Sequence, residues 1–217
     1  MRSLTQWASW LVASIIVVFA TFVTAVRGIW QGIEPDQTQR IYFANHCSHG
    51  DFVLLWTVLP PATRRRTRPV AGADYWLSSR LRRFIGCEVF NALLIQRERS
   101  QREQDPVALM AQALDEGDSL IVFPEGTRNT TDAPLLPFKS GLYHLASQRP
   151  DVEIVPVWIS NLNRVLPKGE VIPIPLVCTV TFGSAMYLEN SEDKQAFIAR
   201  AEKALLELAP AVVQREH

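Results

Sequence analysis

Asn45-His46-Cys47-Ser48-His49-Gly50-Asp51 lies between two apolar runs, Ile41–Ala44 before it and Phe52–Leu59 after it. The pattern is a strand running into a polar turn that opens a helix, the junction at which α/β proteins carry catalytic groups on a loop held by rigid elements. The turn holds a titratable base, His46, and a carboxylate five residues later, Asp51. With Gly50 between them to let the chain fold back, the two side chains can approach each other. A helix N-terminus keeps Asp51 ionised. From spacing alone, a helix-capping aspartate beside a surface histidine is the commoner arrangement.

Working outward, the strand–turn–helix alternation continues along the chain. Before the turn, Arg40–Ala44 reads as a strand, and after it Asp51–Leu59 as a helix stopped by Pro60-Pro61, with an arginine-rich loop beyond. Pro69–Ala73 reads as a short strand and Tyr75–Arg83 as a helix with basic residues on one side. Glu88–Gln96 reads as a strand with Arg97 at its exit. Pro106–Glu116 is an amphipathic helix with proline at its start and Gly117 just past its end. Ser119–Phe123 is a buried-type strand. A helix over Phe138–Ser147, strands over Val152–Ile159 and Val177–Phe182, and a closing helix over Gln195–Leu208 follow. Strands alternating with helices give an α/β fold: a mixed, partly parallel sheet flanked by helices.

At 217 residues the chain suits one such domain. The 22 basic residues equal the 22 acidic ones, so no global field attracts nucleic acid. Positive charge is nevertheless clustered at Arg64-Arg65-Arg66-Thr67-Arg68 and Arg80-Leu81-Arg82-Arg83. The cysteines, Cys47, Cys87 and Cys178, are an odd, widely spaced set, which argues for a reducing compartment rather than a disulfide framework. Ser3–Val26 carries no charged residue. As a helix it would be about 36 Å long, against roughly 30 Å of bilayer hydrocarbon. A secretory signal is the rival reading, but the run exceeds an ordinary signal core and Val26-Arg27 is no cleavage site. Trp7, Trp10 and Trp30 suit interfacial anchors. The expected organisation is a membrane anchor over 1–34, spanning or lying in one leaflet, and a domain over 35–217. The arginines that follow the anchor put that domain on the cytoplasmic face.

A histidine takes a proton from a hydroxyl near neutral pH when a neighbouring group fixes its tautomer and stabilises the imidazolium, and a carboxylate does both. A second candidate is Phe123-Pro124-Glu125-Gly126-Thr127-Arg128 at the exit of a buried strand, where α/β sheets bind ligands. Gly126 and Thr127 offer a backbone N–H and a hydroxyl, and Arg128 a planar fork suited to phosphate. Arg97, at another strand exit, could reach the same place. Cys47 beside His46 is read as a structural thiol. His46, His49 and Asp51 lack the further ligands of a closed zinc site, so no metal is expected.

Taken in order, these segments closely resemble the glycerolipid acyltransferases typified by 1-acylglycerol-3-phosphate acyltransferase. The matching residues are Asn45-His46 with Asp51, Leu93-Leu94-Ile95-Gln96-Arg97, Phe123 to Arg128, and Ile154-Val155-Pro156-Val157. Phe138-Lys139-Ser140-Gly141 followed by His144-Leu145-Ala146 looks like the family's helix after the third motif. The resemblance covers about residues 38 to 182. In the second motif, Asn91 and Gln96 stand where the family carries glycine and aspartate.

The resemblance implies a glycerolphosphate-acyltransferase-like fold and an acyl transfer with no cofactor beyond the co-substrate. His46 would deprotonate a hydroxyl of a lysophospholipid, 1-acylglycerol-3-phosphate first, with Asp51 orienting the ring. The oxygen would attack the thioester of acyl-CoA or acyl carrier protein directly. Arg128, with Gly126, Thr127 and Arg97, would hold the acceptor phosphate, and Glu125 would either bind an acceptor hydroxyl or brace Arg128. Membrane lipids are expected partners. The alternatives are another acceptor, such as a lyso-ornithine lipid or a lysophospholipid with a head group, and a membrane-tethered lipid-binding module without turnover.

Overall fold

The computed structural model describes residues 4–48, 50–96, 104–160 and 177–210. Its helices are α1 (Leu4–Thr24), α2 (Asp51–Val58), α3 (Pro61–Arg64), α4 (Ala73–Trp76), α5 (Arg80–Arg83), α6 (Pro106–Asp115), α7 (Gly141–Gln148) and α8 (Lys194–Leu206), with a π-helical turn over Phe84–Val89. The strands are β1 (Arg27–Trp30), β2 (Arg40–Ala44), β3 (Thr67–Gly72), β4 (Leu93–Ile95), β5 (Ser119–Val122), β6 (Glu153–Ser160) and β7 (Thr179–Phe182). They form one seven-stranded sheet in the order β1-β7-β6-β2-β5-β3-β4. From β6 to β4 all neighbours are parallel. β7 runs antiparallel to β6 and carries β1 parallel to itself, so the sheet is mixed, as expected.

The central strands are buried on both faces, which is why they read as continuous apolar runs rather than alternating ones. On β2, Ile41 and Phe43 join Leu120, Leu145, Ile154 and Phe197 under the layer of α6, α7 and α8. Tyr42 and Ala44 point the other way, to Leu55, Ile121, Val155 and Phe182 beneath α1 and α2. The catalytic-type turn follows β2, the centre of this double-sided core.

Three expectations are corrected. The first helix ends at Thr24, ten residues short of the expected anchor boundary at 34, because Ala25 takes the left-handed conformation (φ 44°) and Arg27–Trp30 pairs with Thr179–Phe182 as an edge strand. Arg27–Trp30, inside 1–34, therefore belongs to the sheet. Glu88–Gln96 is not one strand: only Leu93–Ile95 is, and Val89 still belongs to the π-helical turn. Phe90 is drawn under the aromatic rings of Phe52, Trp56 and Trp76, at centroid distances of 5.0, 5.1 and 6.4 Å. Asn91 then reverses the chain with φ 49°, a conformation asparagine tolerates better than most residues and one that suits the family's glycine. The helix after the third motif starts at Gly141, three residues past its expected start at Phe138.

α1 is docked along one side. Ala20 and Thr24 are buried, and Ala13, Ile16, Val17 and Val23 pack on the core beneath α2. Its other side exposes Trp7, Trp10, Leu11, Ile15, Val18, Phe19 and Phe22. The helix is long and apolar enough to cross a membrane.

Candidate active site

β2 delivers its last residue into the turn through Asn45, whose side chain acts as a further rung of the sheet. Its Nδ2 donates to the Ile159 carbonyl at 3.0 Å and its Oδ1 accepts from the Ile159 N–H at 2.8 Å. The next residue, His46, is thus fixed at the carboxyl end of the central strands. Its Nδ1 lies 2.9 Å from Asp51 Oδ2. The same oxygen accepts the backbone N–H groups of Cys47 at 2.7 Å and Ser48 at 2.8 Å. Asp51 is 1% exposed and opens α2. Three donors on one oxygen and the helix N-terminus together stabilise its charge out of water. Gly50 has an ordinary helical φ of −86°, so the approach of His46 and Asp51 uses these hydrogen bonds rather than glycine's freedom, a correction to the sequence expectation.

With the Asp51 carboxylate accepting a hydrogen bond from Nδ1–H, Nε2 of the ring is the open acceptor. Among the described residues Nε2 has no hydrogen-bond partner. The ring stacks on Phe123, centroids 4.2 Å apart and planes 24° from parallel. Phe123 directly follows β5 and starts the second candidate turn, so the two motifs meet ring to ring.

The second turn is tied to the first through the backbone. Asn129 N–H donates to the His46 carbonyl at 2.6 Å. Glu125, 2% exposed, receives His46 N–H on Oε1 at 2.8 Å and Leu136 N–H on Oε2 at 2.9 Å. Burial pushes its carboxyl above the usual carboxylate range, against the two backbone donors, which lower it. Glu125 thus braces the loop that carries His46, and both its oxygens are engaged by backbone rather than by Arg128. Gly126, Thr127 and Arg128 are exposed. Gly126 takes φ 71°, a left-handed backbone conformation that favours glycine, and the Lys139 side chain lies over it. Arg128 has no ion-pair or hydrogen-bond partner among the described residues. Arg97 and His49 lie outside the described residues.

A cavity of about 570 Å³ opens beside His46 and runs between the carboxyl ends of β3, β4 and β5 and the helices α6 and α7. Val70, Ile95, Val107, Met110, Leu142 and Leu145 form its apolar wall, while Gly126, Lys139 and Ser140 lie on the polar part of its lining. Lys139 is exposed, and its N–H is held by the Pro124 carbonyl at 2.8 Å. The sequence reading gave Lys139 no role. Its signal was its place in Phe138-Lys139-Ser140-Gly141, directly after the third motif. Cys47 is half-buried, and burial with the neighbouring Asp51 and Glu125 charges pushes its thiol up to about 11. No group of three or more His, Cys, Asp or Glu side chains among the described residues could hold a metal ion.

Comparison with known proteins follows this geometry. The family model described as Acyltransferase matches residues 31–160. The 1-acyl-sn-glycerol-3-phosphate acyltransferase of Cocos nucifera is 28% identical over 172 residues, covering 76% of this chain and 51% of its own length. The 1-acyl-sn-glycerol-3-phosphate acyltransferase alpha of Homo sapiens is 33% identical over 138 residues, covering 63% and 46%. The chain spans about half the length of the curated relatives it matches. The crystal structure of the 1-acyl-sn-glycerophosphate (LPA) acyltransferase from Thermotoga maritima superposes with a TM-score of 0.67 at 22% identity, covering 95% of this chain and 82% of that one, and so shares the fold.

Proposed function

Because the chain belongs to the acyltransferase family, we propose that it moves a fatty acyl group from an acyl thioester to the free hydroxyl of a lysophospholipid, 1-acylglycerol-3-phosphate foremost, giving phosphatidic acid. The observation that carries this reading is the His46–Asp51 pair, 2.9 Å apart, set at one end of a cavity with an apolar wall. An acyl chain can lie along Val70, Ile95, Val107, Met110, Leu142 and Leu145 with its thioester at His46.

In the reaction, Nε2 of His46 takes the proton of the acceptor hydroxyl as its oxygen attacks the thioester carbonyl. Asp51 holds the ring's tautomer and balances the imidazolium without taking the proton itself. Collapse of the tetrahedral intermediate breaks the C–S bond, and the thiolate of CoA or of acyl carrier protein leaves with the proton from His46. A thioester is already activated, so the enzyme needs no nucleophile of its own. This agrees with a Cys47 thiol that stays protonated at neutral pH. Arg128, exposed and unpaired among the described residues, holds the acceptor phosphate with Thr127 and with Gly126, which lines the cavity, and Arg97, outside the described residues, is a further candidate for that contact. Glu125 serves that site by bracing the loop. α1, rather than the whole of 1–34, is the membrane-contacting segment, with the domain on the cytoplasmic face.

The test is thiol release from an acyl-CoA in the presence of lysophosphatidic acid. His46→Ala is expected to lower the rate by about 10²–10⁴-fold, the ordinary contribution of a positioned base, with an unchanged melting temperature. A folded His46→Ala protein of full activity ends the proposal.

A further inference from the structure

The two arginine clusters noted in the sequence have different fates. In the first, Arg65 and Arg66 are exposed, but Arg64 and Arg68 are absorbed by the fold. Arg64 Nη2 donates to the carbonyls of Thr57 and Leu59 at 2.5 and 2.9 Å, and its guanidinium lies 5.0 Å from the Trp56 ring. Arg68 donates to the Asn91 carbonyl at 3.0 Å and to Asp118 at 3.3 Å. Both stand at the amino end of β3 or before it, away from the cavity. The second cluster, Arg80, Arg82 and Arg83, is exposed throughout. Arg80 and Arg83 have no ion pair or hydrogen bond from their side chains among the described residues. Among the described residues the Arg82 side chain reaches Ser78 Oγ at 2.8 Å and the face of Tyr75 at 4.4 Å.

The segment that carries this cluster starts at the cavity. Gly72, the last residue of β3, lines the cavity, and Ala73 begins α4 at once. The chain returns to the cavity at Ile95, the end of β4. Between these points it exposes apolar side chains among the arginines: Leu81 is 68% exposed and Leu77 49%, with Tyr75 beside them. It is nevertheless firmly seated. Trp76 packs edge-on against Phe52 at 5.9 Å, and its ring lies so close to Gly86 that a Cβ there would come within 2.8 Å. The π-helical turn that follows packs against α1, whose outer side is apolar. Two carboxylates belong to the crossover, Asp74 at its start and Glu88 near its end, and both flank rather than interrupt the basic run.

We infer that the β3–β4 crossover, through Tyr75, Leu77 and Leu81 with Arg80, Arg82 and Arg83, is a docking surface for an anionic lipid head-group layer that brings the cavity mouth down onto the membrane. Charge and apolarity are interleaved as an interface with phospholipid requires: leucines enter the head-group region while guanidinium groups stay at phosphate level. The surface is continuous with α1 through the π-helical turn, so helix and crossover contact one membrane together. The inference rests on the acyltransferase reading only for what it delivers to the cavity; the docking itself stands apart from catalysis.

The experiment is hydrogen exchange on the full chain in lipid nanodiscs, one set of phosphatidylcholine and one of equal parts phosphatidylcholine and phosphatidylglycerol. Amides of residues 73–83 are expected to exchange about fivefold slower in the anionic discs for each arginine engaged. α1 is the internal control, protected in both. Replacing all three arginines (Arg80→Gln, Arg82→Gln, Arg83→Gln) removes the difference, and Leu81→Ser reduces it; added salt weakens it as well. Equal exchange in the two discs, or slowing that survives the triple substitution, overturns the inference. In the acyl-transfer assay the triple variant keeps its rate on detergent-dispersed substrates and loses it on anionic vesicles. A chain that is inactive yet protected at 73–83 sinks the catalytic reading and leaves the docking surface. An active chain without that protection does the reverse.

Discussion

The turn at 45–51 directs its polar groups inward, whereas the turn at 123–128 divides its own between the protein and the solvent. In the first, Asn45 is locked to β6, and Asp51 Oδ2 gathers one ring nitrogen and two backbone N–H groups. Nε2 of His46 is left without a hydrogen-bond partner among the described residues. In the second, Glu125 is consumed in bracing the neighbouring loop, while Gly126, Thr127 and Arg128 stand exposed. On the proposed function, the difference separates two tasks. A proton-transfer pair must keep one geometry through the reaction, so it is built from buried, mutually bonded groups. A clamp for a charged head group must be open to its ligand beforehand, which suits a cation with no protein partner among the described residues. Mutations in the first turn should therefore act on the chemical step, and mutations in the second on acceptor affinity.

The largest effect is expected at Asp51. Asp51→Asn keeps the shape but presents an amide where Nδ1–H needs an acceptor, which favours the wrong tautomer of His46. The corresponding change in a serine-protease triad costs about 10⁴-fold in kcat. We expect a fall of about 10³–10⁴-fold in kcat here, with acceptor KM little changed. Because the same oxygen also holds Cys47 and Ser48, the melting temperature should fall too. A variant that kept a tenth or more of the wild-type kcat would break the claim that the first turn is a catalytic pair (steady-state kinetics beside thermal unfolding decide it).

At Arg128 the signature reverses. Loss of a charge-assisted, two-pronged phosphate contact costs about 1.5–3 kcal/mol, or roughly 10–100-fold in affinity. Arg128→Ala is expected to raise KM for lysophosphatidic acid by that factor, and Arg128→Lys by about tenfold, since charge remains but the fork is lost. Donor KM and melting temperature stay as they are, because the side chain is exposed and holds nothing else in the described structure. An unchanged acceptor KM in both variants would mean that the exposed turn is not the clamp, and the comparison between the turns would lose its second half.

How far the sequence carried this picture depended on how local each feature is. β2, β5 and β6 were legible because a strand buried on both sides must be apolar at every position, and Arg40–Ala44, Ser119–Val122 and Glu153–Ser160 nearly are. β1 was not, because Arg27-Gly28-Ile29-Trp30 is a half-exposed strand whose partner among the described residues, β7, lies far along the chain. Val89 and Phe90 read as strand because they are apolar and adjacent. Phe90 is buried instead in an aromatic cluster contributed by α2 and α4, which no local pattern reveals. The order of motifs singles out His46, Asp51 and Arg128 as candidates. The bonding of Glu125 is not legible there, since it depends on the amides of His46 and Leu136, which only the folded chain brings to one carboxylate.

The smallest effect is expected at Cys47, and it tests how strictly the first turn divides bystanders from participants. The thiol sits next to the base in sequence, half-buried, with Asn45 Nδ2 3.8 Å from its sulfur. Burial first, and then the Asp51 and Glu125 charges, push its pKa up to about 11. A raised thiol pKa means the neutral form is favoured in the folded protein, so at pH 7–8 only about one molecule in a thousand or fewer carries the thiolate. Alkylation of Cys47 by iodoacetamide should therefore be slow at neutral pH and climb about tenfold per pH unit up to roughly pH 10, read by mass spectrometry of the 45–51 peptide. Cys47→Ala leaves the N–H to Asp51 in place, since that bond is made by backbone, and should keep kcat within about threefold of wild type. Rapid alkylation at pH 7, or loss of turnover in Cys47→Ala as deep as in His46→Ala, would show an acyl-accepting thiol in the turn. The histidine would then serve the sulfur rather than the lipid hydroxyl, and direct attack on the thioester would have to be abandoned.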